Sequence, residues 1–400
     1  MAGDWRDIAL EDVADELTVG YVGPMASEYV DDGVPFLRSL NIEPLRINKN
    51  DLKFITPEFH KRIQKSRLTP GDVVIVRTGK PGACSVVPDW LADANCSDLV
   101  IVRCGPQLNN RFLAYYVNTV ACDHVAAHLV GAVQQHFNVG SARTLRLNLP
   151  PLAEQKAIAA VLGALDDKIE CHRRMNATLE AMARALFQSW FVDAAVNGLP
   201  KGWRVGTIGD VAENARRGIN PDQMKPATAY IGLEHMPRRS IALSEWGHAG
   251  KLESNKFEFR RGEILFGKLR AYFHKVGVAP LDGVCSTDIL VVRPQKPEWF
   301  GFVLGHVSSI ELVNHTDAAS TGTKMPRSNW NDIARFEAAL PPQPLAAKFT
   351  ELIRPMIDRM IANIHESRTL ATLRDTLLPK LLSGELRVQD AKPLGEKAAA

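Results

Sequence analysis

The chain has 400 residues, 46% of them hydrophobic and 23% charged, with a formal net charge of +3. This length and apolar content are ample for two hydrophobic cores and too large for one. The pI of 8.5 lies below the value of about 9 that is usual for a nucleic-acid-binding domain. A uniformly basic binding surface is therefore excluded, and any contact with DNA must depend on local loops.

Six cysteines are spread along the chain without a C-x-x-C pair. Such usage predicts reduced thiols in a reducing compartment, and hence a cytoplasmic protein. The sequence has no run of about 18 apolar residues and no basic leader followed by an apolar stretch. We therefore expect neither a membrane span nor a signal peptide.

The first 150 residues are predicted to form a domain of mixed α and β structure. The runs GDVVIVRTGKPG (71–82) and CSDLVIVR (96–103) are β-rich and follow turn residues, which is typical of core strands. The basic segment ITPEFHKRIQKSRL before them and RFLAYYVNTVACDHVAAHLVG after them are predicted helices. This part carries 15 basic and 17 acidic side chains, a net charge of −2.

A long amphipathic helix is predicted over residues 151–193. Its apolar positions follow an alternating spacing of three and four, which is typical of a helix-pairing stripe. These positions are Ile158, Leu162, Leu165, Ile169, Leu179, Ala183, Leu186 and Trp190. About 43 residues at ~1.5 Å each make a helix of roughly 65 Å. His172 and Asn176 interrupt the stripe, and single polar residues of this kind can set helix register.

The second half of the chain repeats the first at an offset of about 190 residues. GEILFGKLRAYF (262–273) aligns with residues 71–82, and CSTDILVVR (285–293) with 96–103. The segment EWFGFVLGHVSSIELVNHT after the latter is a predicted helix. A second amphipathic helix covers 345–382, with Pro355 as an expected kink or break. Both long helices follow a Leu-Pro-Pro sequence, and we infer that they pair antiparallel within the chain.

Two polar, glycine-bearing loops lie before these Leu-Pro-Pro sequences, GAVQQHFNVGSAR (131–143) and ASTGTKMPRSNW (319–330). Gln can pair with adenine, Arg or Lys with guanine, and Ser or Thr with a base or a phosphate. The loops are therefore candidate DNA readers. An ordinary solvated surface loop is the alternative interpretation.

The order of these elements resembles the specificity subunit of type I restriction-modification systems. The most specific match is the central helix, LPPLAEQKAIAAVLGALDDKIE with RRMNATLEAMARALFQSWFVD. GDVVIVRTG, TGTKMPRSNWNDI and the ending LLPKLLSGELRV also fit, and the resemblance extends to about residue 388. It implies an α+β fold, with two mixed α/β target-recognition domains separated by a pair of long antiparallel helices. This would be an intramolecular coiled coil with a pseudo-two-fold internal repeat.

The resemblance also implies boundaries, function and partners. We expect target-recognition domain 1 at 1–150, a central spacer helix at 151–197, target-recognition domain 2 at 198–344, a C-terminal spacer helix at 345–388 and a disordered tail at 389–400. The chain would be a non-catalytic subunit reading a bipartite, asymmetric target in double-stranded DNA. Its expected partners are two adenine-N6 methyltransferase subunits and restriction (translocase/endonuclease) subunits, with no membrane. No cofactor is expected in this chain; S-adenosylmethionine, ATP and Mg²⁺ are expected on the partner subunits.

The predicted DNA contacts lie in the basic loops that follow the core strands and in the two polar loops. In the first half they are Arg77, Thr78, Lys80, Gln134, Gln135, His136 and Arg143. In the second half they are Lys268, Arg270, Lys275, Thr321, Thr323, Lys324 and Arg327. We expect the cations to contact phosphates. Phe187, Trp190 and Phe191 are candidate contacts for the methyltransferase subunit, with burial in a core as the alternative.

Catalytic, nucleotide-binding and metal-binding motifs are each incomplete. Asn148 precedes a Leu-Pro-Pro-Leu sequence that lacks the aromatic residue of an adenine methyltransferase motif. The glycine spacing that ends at Gly267-Lys268 is followed by Leu269, where a phosphate-binding loop needs Ser or Thr. We therefore expect no catalytic residue and no bound nucleotide.

Cysteine and histidine residues that share a predicted helix face are candidate zinc ligands. They lack a second ligand pair at finger-like spacing, so we expect no metal. The candidates are Cys122, His124, His128 and His136.

The alternative to a DNA-reading subunit is a non-catalytic protein-binding scaffold with two globular heads on a helical rod, which the near-neutral first domain favours.

Overall fold

The computed structural model describes residues 5–121, 125, 137–250, 252–320 and 325–388. The chain divides into two compact units. Unit 1 comprises Met1–Asp167 and Ala371–Ala400, and unit 2 comprises Lys168–Leu370. Two long helices, α4 (Leu152–Phe187) and α8 (Gln343–Ser383), contribute to both units.

Unit 1 combines sheets with short capped helices. Its strands are β1 (Arg6–Ala9), β2 (Ala14–Val19), β3 (Tyr29–Val30), β4 (Val34–Leu37), β5 (Ile42–Glu43), β6 (Arg46–Ile47), β7 (Lys53–Ile55), β8 (Arg67–Leu68), β9 (Val73–Val76), β10 (Cys84–Val86), β11 (Ala94–Cys96), β12 (Leu99–Cys104) and β13 (Arg146–Leu149). Its short helices are α1 (Pro57–Arg62), α2 (Asn110–Thr119) and α3 (Val139–Arg143). Thr56, Asn109 and Asn138 accept hydrogen bonds at their N-termini and so determine where the helices begin.

Unit 2 is built in the same way. Its strands are β14 (Arg204–Thr207), β15 (Ala212–Asn214), β16 (Arg217–Ile219), β17 (Ala229–Ile231), β18 (Gly247–His248), β19 (Lys256–Phe259), β20 (Ile264–Gly267), β21 (Val276–Val278), β22 (Gly283–Cys285) and β23 (Ile289–Pro294), followed by β24 (Glu337–Leu340). Its short helices are α5 (Phe300–Val307), α6 (Ile310–Ala318) and α7 (Trp330–Ala334). The single helix predicted over residues 298–316 is therefore divided into two helices, α5 and α6. The division occurs because Ser309 adopts an extended backbone and caps the start of α6.

The predicted internal repeat is confirmed by the sheet topologies. The sheet β10-β9-β12-β2 of unit 1 corresponds to β21-β20-β23-β15 of unit 2. The second sheets, β3-β7-β4-β11-β8 and β16-β19-β22-β17-β18, each contain a parallel pair, β4 with β11 and β17 with β22. The predicted core strands β9 and β20 are buried along their whole length, which is why their sequences are apolar on both faces.

Within unit 1, the first part of α4 lies antiparallel to the last part of α8. Leu162 and Leu381 are both fully buried in the core there. Arg374 donates to Asp166 at 2.6 Å, and Arg387 near the end of the chain donates to Glu154 near the start of α4. From Glu154 to Asp166 the residue numbers rise, whereas those of their partners fall from Arg387 to Arg374. The two segments therefore run antiparallel, which confirms the predicted pairing in this unit.

Within unit 2, the remaining parts of the same helices also pair antiparallel. The imidazole Nδ1 of His172 lies 3.1 Å from the Ser367 hydroxyl. The amide of Asn363 donates to the Asn176 carbonyl oxygen at 2.8 Å. His172 and Asn176, which interrupt the apolar stripe, therefore meet polar partners on α8 at the same levels of the helix pair.

The ends and continuity of the long helices differ from the expectation in detail. Helix α8 is unbroken at Pro355, so the alternative of a break there is wrong. Pro355 lies on the exposed face of the helix, where water can satisfy the carbonyl that proline leaves without a donor. The α-helical part of α4 ends at Phe187 and continues as a π-helical turn, Gln188–Val192.

The buried Asn176–Asn363 pair gives a test of the helix pairing. Asn363 is fully buried, so Asn176→Leu leaves an amide N–H without its acceptor at a cost of about 1–3 kcal/mol. The double variant Asn176→Leu/Asn363→Leu removes both polar groups and is expected to recover most of that loss. Urea denaturation of the full chain measures both changes, and an undiminished stability of the single variant would contradict the observed pairing.

Candidate nucleic-acid interface

In unit 1, the basic loop that follows β9 is held by one carboxylate. The backbone N–H of Arg77 donates to the Asp98 carbonyl at 3.3 Å, and the Thr78 hydroxyl donates to the Asp98 carboxylate. The guanidinium of Arg77 lies 3.8 Å from the same carboxylate. Ser39 donates to it from another turn at 3.2 Å. Two predicted DNA contacts are therefore positioned together, while Lys80 is exposed at the end of the loop.

Asp98 itself adopts an unusual backbone conformation. Its φ is 56°, in the left-handed region that Asp and Asn tolerate better than most residues. This conformation costs energy, and such costs concentrate at functional sites and turns. The carboxylate is half-exposed, so it can hold the neighbouring loop without being removed from solvent.

The polar loop of unit 1 ends against the same basic loop. The N–H of Phe137, a fully buried residue, donates to the Arg77 carbonyl at 3.0 Å. Asn138 then caps α3, which carries the exposed Arg143 3.7 Å from Glu11. The predicted contacts Gln134, Gln135 and His136 lie outside the described residues.

The same backbone framework recurs in unit 2. The N–H of Lys268 donates to the Asp288 carbonyl at 2.9 Å, and the N–H of buried Ser328 donates to the Lys268 carbonyl at 3.0 Å. Arg327 donates to the Asp288 carboxylate at 3.1 Å. In each unit, hydrogen bonds thus connect a basic loop, an acidic residue and the end of a polar loop. We call this arrangement the Asp98 framework in unit 1 and the Asp288 framework in unit 2. The side chains involved differ between the units. Thr321, Thr323 and Lys324 lie outside the described residues.

The basic loop of unit 2 continues into a tight turn at Arg270–His274. Arg270 donates its N–H to the Pro326 carbonyl at 2.9 Å, which joins this turn to the end of the polar loop. Lys275 is half-buried, and its ammonium donates to the Leu233 carbonyl. Burial lowers the pKa of Lys275, the positive charge of Arg238 lowers it further, and Glu234 raises it. This lysine is less available to a phosphate than the other predicted cations.

Sequence reasoning missed several residues of these surfaces. Asp98 and Asp288 end the CSD and CSTD sequences, which by themselves indicate only the start of a strand. Their role depends on contacts between segments far apart in the chain. The exposed Arg238 and Arg239 come next to the turn through a hydrogen bond from the Arg239 N–H to the His274 carbonyl, 2.9 Å long. The adjacent pair of arginines was the only local signal for them.

The aromatic residues proposed as partner contacts occupy different environments. Phe187 and Phe191 are 5% and 3% exposed and belong to the core of unit 2. Trp190 is half-buried beside Phe349, with ring centroids 5.6 Å apart. The two phenylalanines are therefore part of the hydrophobic core of unit 2. Trp190, in contrast, retains exposed surface that a partner can contact.

The glycine motif considered for nucleotide binding does not form a nucleotide site. Residues 264–267 form strand β20, hydrogen-bonded to β21 and β23, so the glycine spacing there is not a phosphate-binding loop. The zinc candidates Cys122, His124, His128 and His136 lie outside the described residues. Within the described ranges, no cluster of three or more His, Cys, Asp or Glu side chains could hold a metal ion. No helix there combines the length and apolar character needed to cross a membrane.

The first part of the chain is similar to a known protein family. Residues 3–181 match the family described as the type I restriction modification DNA specificity domain. The repeat and the two long helices extend the same organisation beyond the matched residues. The resemblance predicted from the sequence is therefore confirmed.

The particular relatives are specificity subunits. The chain is 23% identical to the type I restriction enzyme MjaIX specificity subunit of Methanocaldococcus jannaschii, over 97% of this chain and 94% of that protein. It is 26% identical to the HindI specificity subunit of Haemophilus influenzae, over 62% of this chain and 70% of that protein. It is also similar in fold to the crystal structure of a type I S subunit from M. genitalium, with a TM-score of 0.58 at 14% identity, covering 94% of this chain and 96% of the other. The predicted α+β fold class is confirmed.

Proposed function

We propose that this chain is the DNA sequence-specificity subunit of a type I restriction-modification complex and is not itself a catalyst. The main support is the framework shared by the loops at Asp98 and Asp288. It positions cations in both units and the Thr78 hydroxyl in unit 1, and such groups contact phosphates and base edges. Because the side chains differ between the units, the two parts of the target should differ, which makes the DNA site bipartite and asymmetric.

The long helices are the proposed spacer between the two DNA-reading surfaces. Both contribute to both units, and a paired helix resists bending and changes in length better than a flexible linker. A fixed spacer would set the gap between the two half-sites, as half-site spacing follows protein geometry in other DNA-binding proteins.

The proposed partners are double-stranded DNA, two adenine-N6 methyltransferase subunits and restriction subunits, in the cytoplasm. The proposed DNA contacts in this chain need no cofactor. S-adenosylmethionine, ATP and Mg²⁺ would be bound by the partner subunits. Trp190 remains the proposed aromatic contact for a methyltransferase subunit, since part of its surface is free.

Footprinting of the purified complex with its methyltransferase partner tests this proposal. A split protected region, whose affinity falls steeply with salt, is the expected result. Replacing residues 77–82 should alter recognition at one half-site, and replacing 268–275 should alter the other. If the complex shows no DNA binding at any salt concentration, the protein-binding scaffold would be favoured instead. Methyl transfer by this chain alone would refute a non-catalytic role.

A further inference from the structure

Tyr272 stands out among the residues of the second DNA-reading surface because it is an exposed aromatic side chain. It is 48% exposed, whereas its neighbour Ala271 is 3% exposed and Phe273 is half-buried. It lies in the Arg270–His274 turn, between residues proposed to contact DNA. An exposed ring at this place is accessible to a bound ligand.

The backbone around Tyr272 is held in uncommon conformations. Arg270 and His274, on either side of it, have φ values of 53° and 51°, and the adjoining Arg239 has a φ of 56°. Residues other than glycine in this left-handed region each cost of the order of 1 kcal/mol or more, and such residues gather at binding sites. The corresponding loop of unit 1 makes its turns with Gly79 and Gly82, at φ 86° and 90°, where this cost is absent.

Several contacts keep the turn rigid. The ring Nε2 of His274, which is 7% exposed, lies 2.9 Å from the Ser308 carbonyl. Two backbone hydrogen bonds of 2.9 Å, from Arg270 to Pro326 and from Arg239 to His274, join the turn to neighbouring segments. Little backbone conformational entropy would be lost on binding, so the turn that carries the ring is preorganised for a partner.

Positive charge surrounds the turn. The guanidinium of Arg238 lies 4.0 Å from the centre of the Phe273 ring, and the Tyr272 and Phe273 rings are 4.6 Å apart. Lys268 and Arg327 belong to the adjacent framework around Asp288. An exposed aromatic ring on a held turn among cations matches two needs of DNA binding, which are apolar contact with base edges and positive charge opposite phosphates.

We propose that Tyr272 packs its ring against bases of the second half-site, supplying an apolar contact that contributes to affinity and specificity. This inference rests on the proposed function. In unit 1 the corresponding loop, Arg77–Gly82, has no aromatic residue, so the contact is specific to one half of the target. It would make the two half-sites differ in the physical basis of recognition as well as in sequence.

Binding by the complex of the full chain with its methyltransferase subunit tests the role of Tyr272. The Tyr272→Ala variant should bind the target duplex about ten-fold more weakly, which is the order of loss expected when one base contact is removed. An apolar contact releases no counterions, so the slope of log affinity against log salt should stay unchanged. Arg270→Ala, in contrast, should reduce that slope by about 0.9 for each phosphate that the protein no longer neutralises. Tyr272→Phe should retain affinity.

Val205→Ala provides a control at an exposed apolar side chain of the same unit, 65% exposed on β14. Unchanged affinity and methylation pattern in Tyr272→Ala, in a complex that still gives a split footprint, would overturn the inference. A reduced salt slope in Tyr272→Ala would also overturn it, because the loss would then come from displaced cations. A complex of the unsubstituted chain without any footprint would refute the proposed function itself.

Discussion

Replacing Asp98 with Asn is expected to weaken binding to the specific target about 10- to 100-fold, because hydrogen bonds to a charged group contribute about 1.5–3 kcal/mol. The carboxylate accepts from Thr78 and Ser39 and lies 3.8 Å from Arg77. Asn tolerates the left-handed backbone at this position, so the turn itself should persist. The loss would therefore come from side chains that no longer hold their positions for reading.

The same substitution should not weaken binding to unrelated DNA. It removes one negative charge near the phosphates and should slightly strengthen the sequence-independent part of binding. Dissociation constants for target and unrelated duplexes at one salt concentration give the ratio that measures specificity. Asp288→Asn is expected to act in the same way on the other half-site, because Arg327 donates to that carboxylate.

Asp89→Asn is a matched control, since it removes the same charge from an exposed position of unit 1. It should leave the ratio of specific to unspecific affinity unchanged. An equal effect of the two substitutions would show that net charge alone matters and that Asp98 has no positioning role.

Phe349→Ala is expected to destabilise unit 2 by about 3–5 kcal/mol, as other truncations of fully buried aromatic residues do. Phe349 is fully buried, and its ring centroid lies 4.8 Å from that of Phe191 and 5.6 Å from that of Trp190. The substitution would open a cavity where α8 meets the end of α4. Urea denaturation followed by tryptophan fluorescence measures the loss.

Leu352→Ala, on the same helix but 40% exposed, should change the stability by no more than about 0.5 kcal/mol. Similar stabilities for the two variants would contradict the burial of Phe349. The result also affects the design of partner-binding tests. Phe187 and Phe191 share this core, so their truncation would confound loss of folding with loss of binding, and a Trp190 variant needs the same stability control because its half-buried ring packs against this core.

The main features of the fold were predictable from the sequence because they depend on local patterns. The apolar runs at 73–76 and 264–267 form buried strands, and the spacing of Ile158 and Leu162 places both on the buried face of α4. The internal repeat could be predicted by comparing the two halves of the sequence with each other. The division between α5 and α6 was missed because a serine cap is a weak signal inside an apolar stretch.

The candidate site was predictable only in part. Arg77, Thr78, Lys268 and Arg327 were selected from their residue types and their positions after strands, and the structure places each beside the Asp98 or Asp288 framework. That Lys275 donates to the protein's own carbonyl could not be read from the chain. Contacts between loops depend on strand register and on segments far apart in sequence.

The sequence by itself determined the main core strands and the two long helices, that the architecture is used twice, and that two long apolar stripes should meet. Local periodicity and side-chain type are sufficient for those properties. Only the tertiary structure decided that Asp98 and Asp288 hold the basic loops, that Phe187 and Phe191 are buried, and that Tyr272 is exposed on a rigid turn. Those properties arise from hydrogen bonds and packing between residues tens to hundreds of positions apart, which no local pattern encodes.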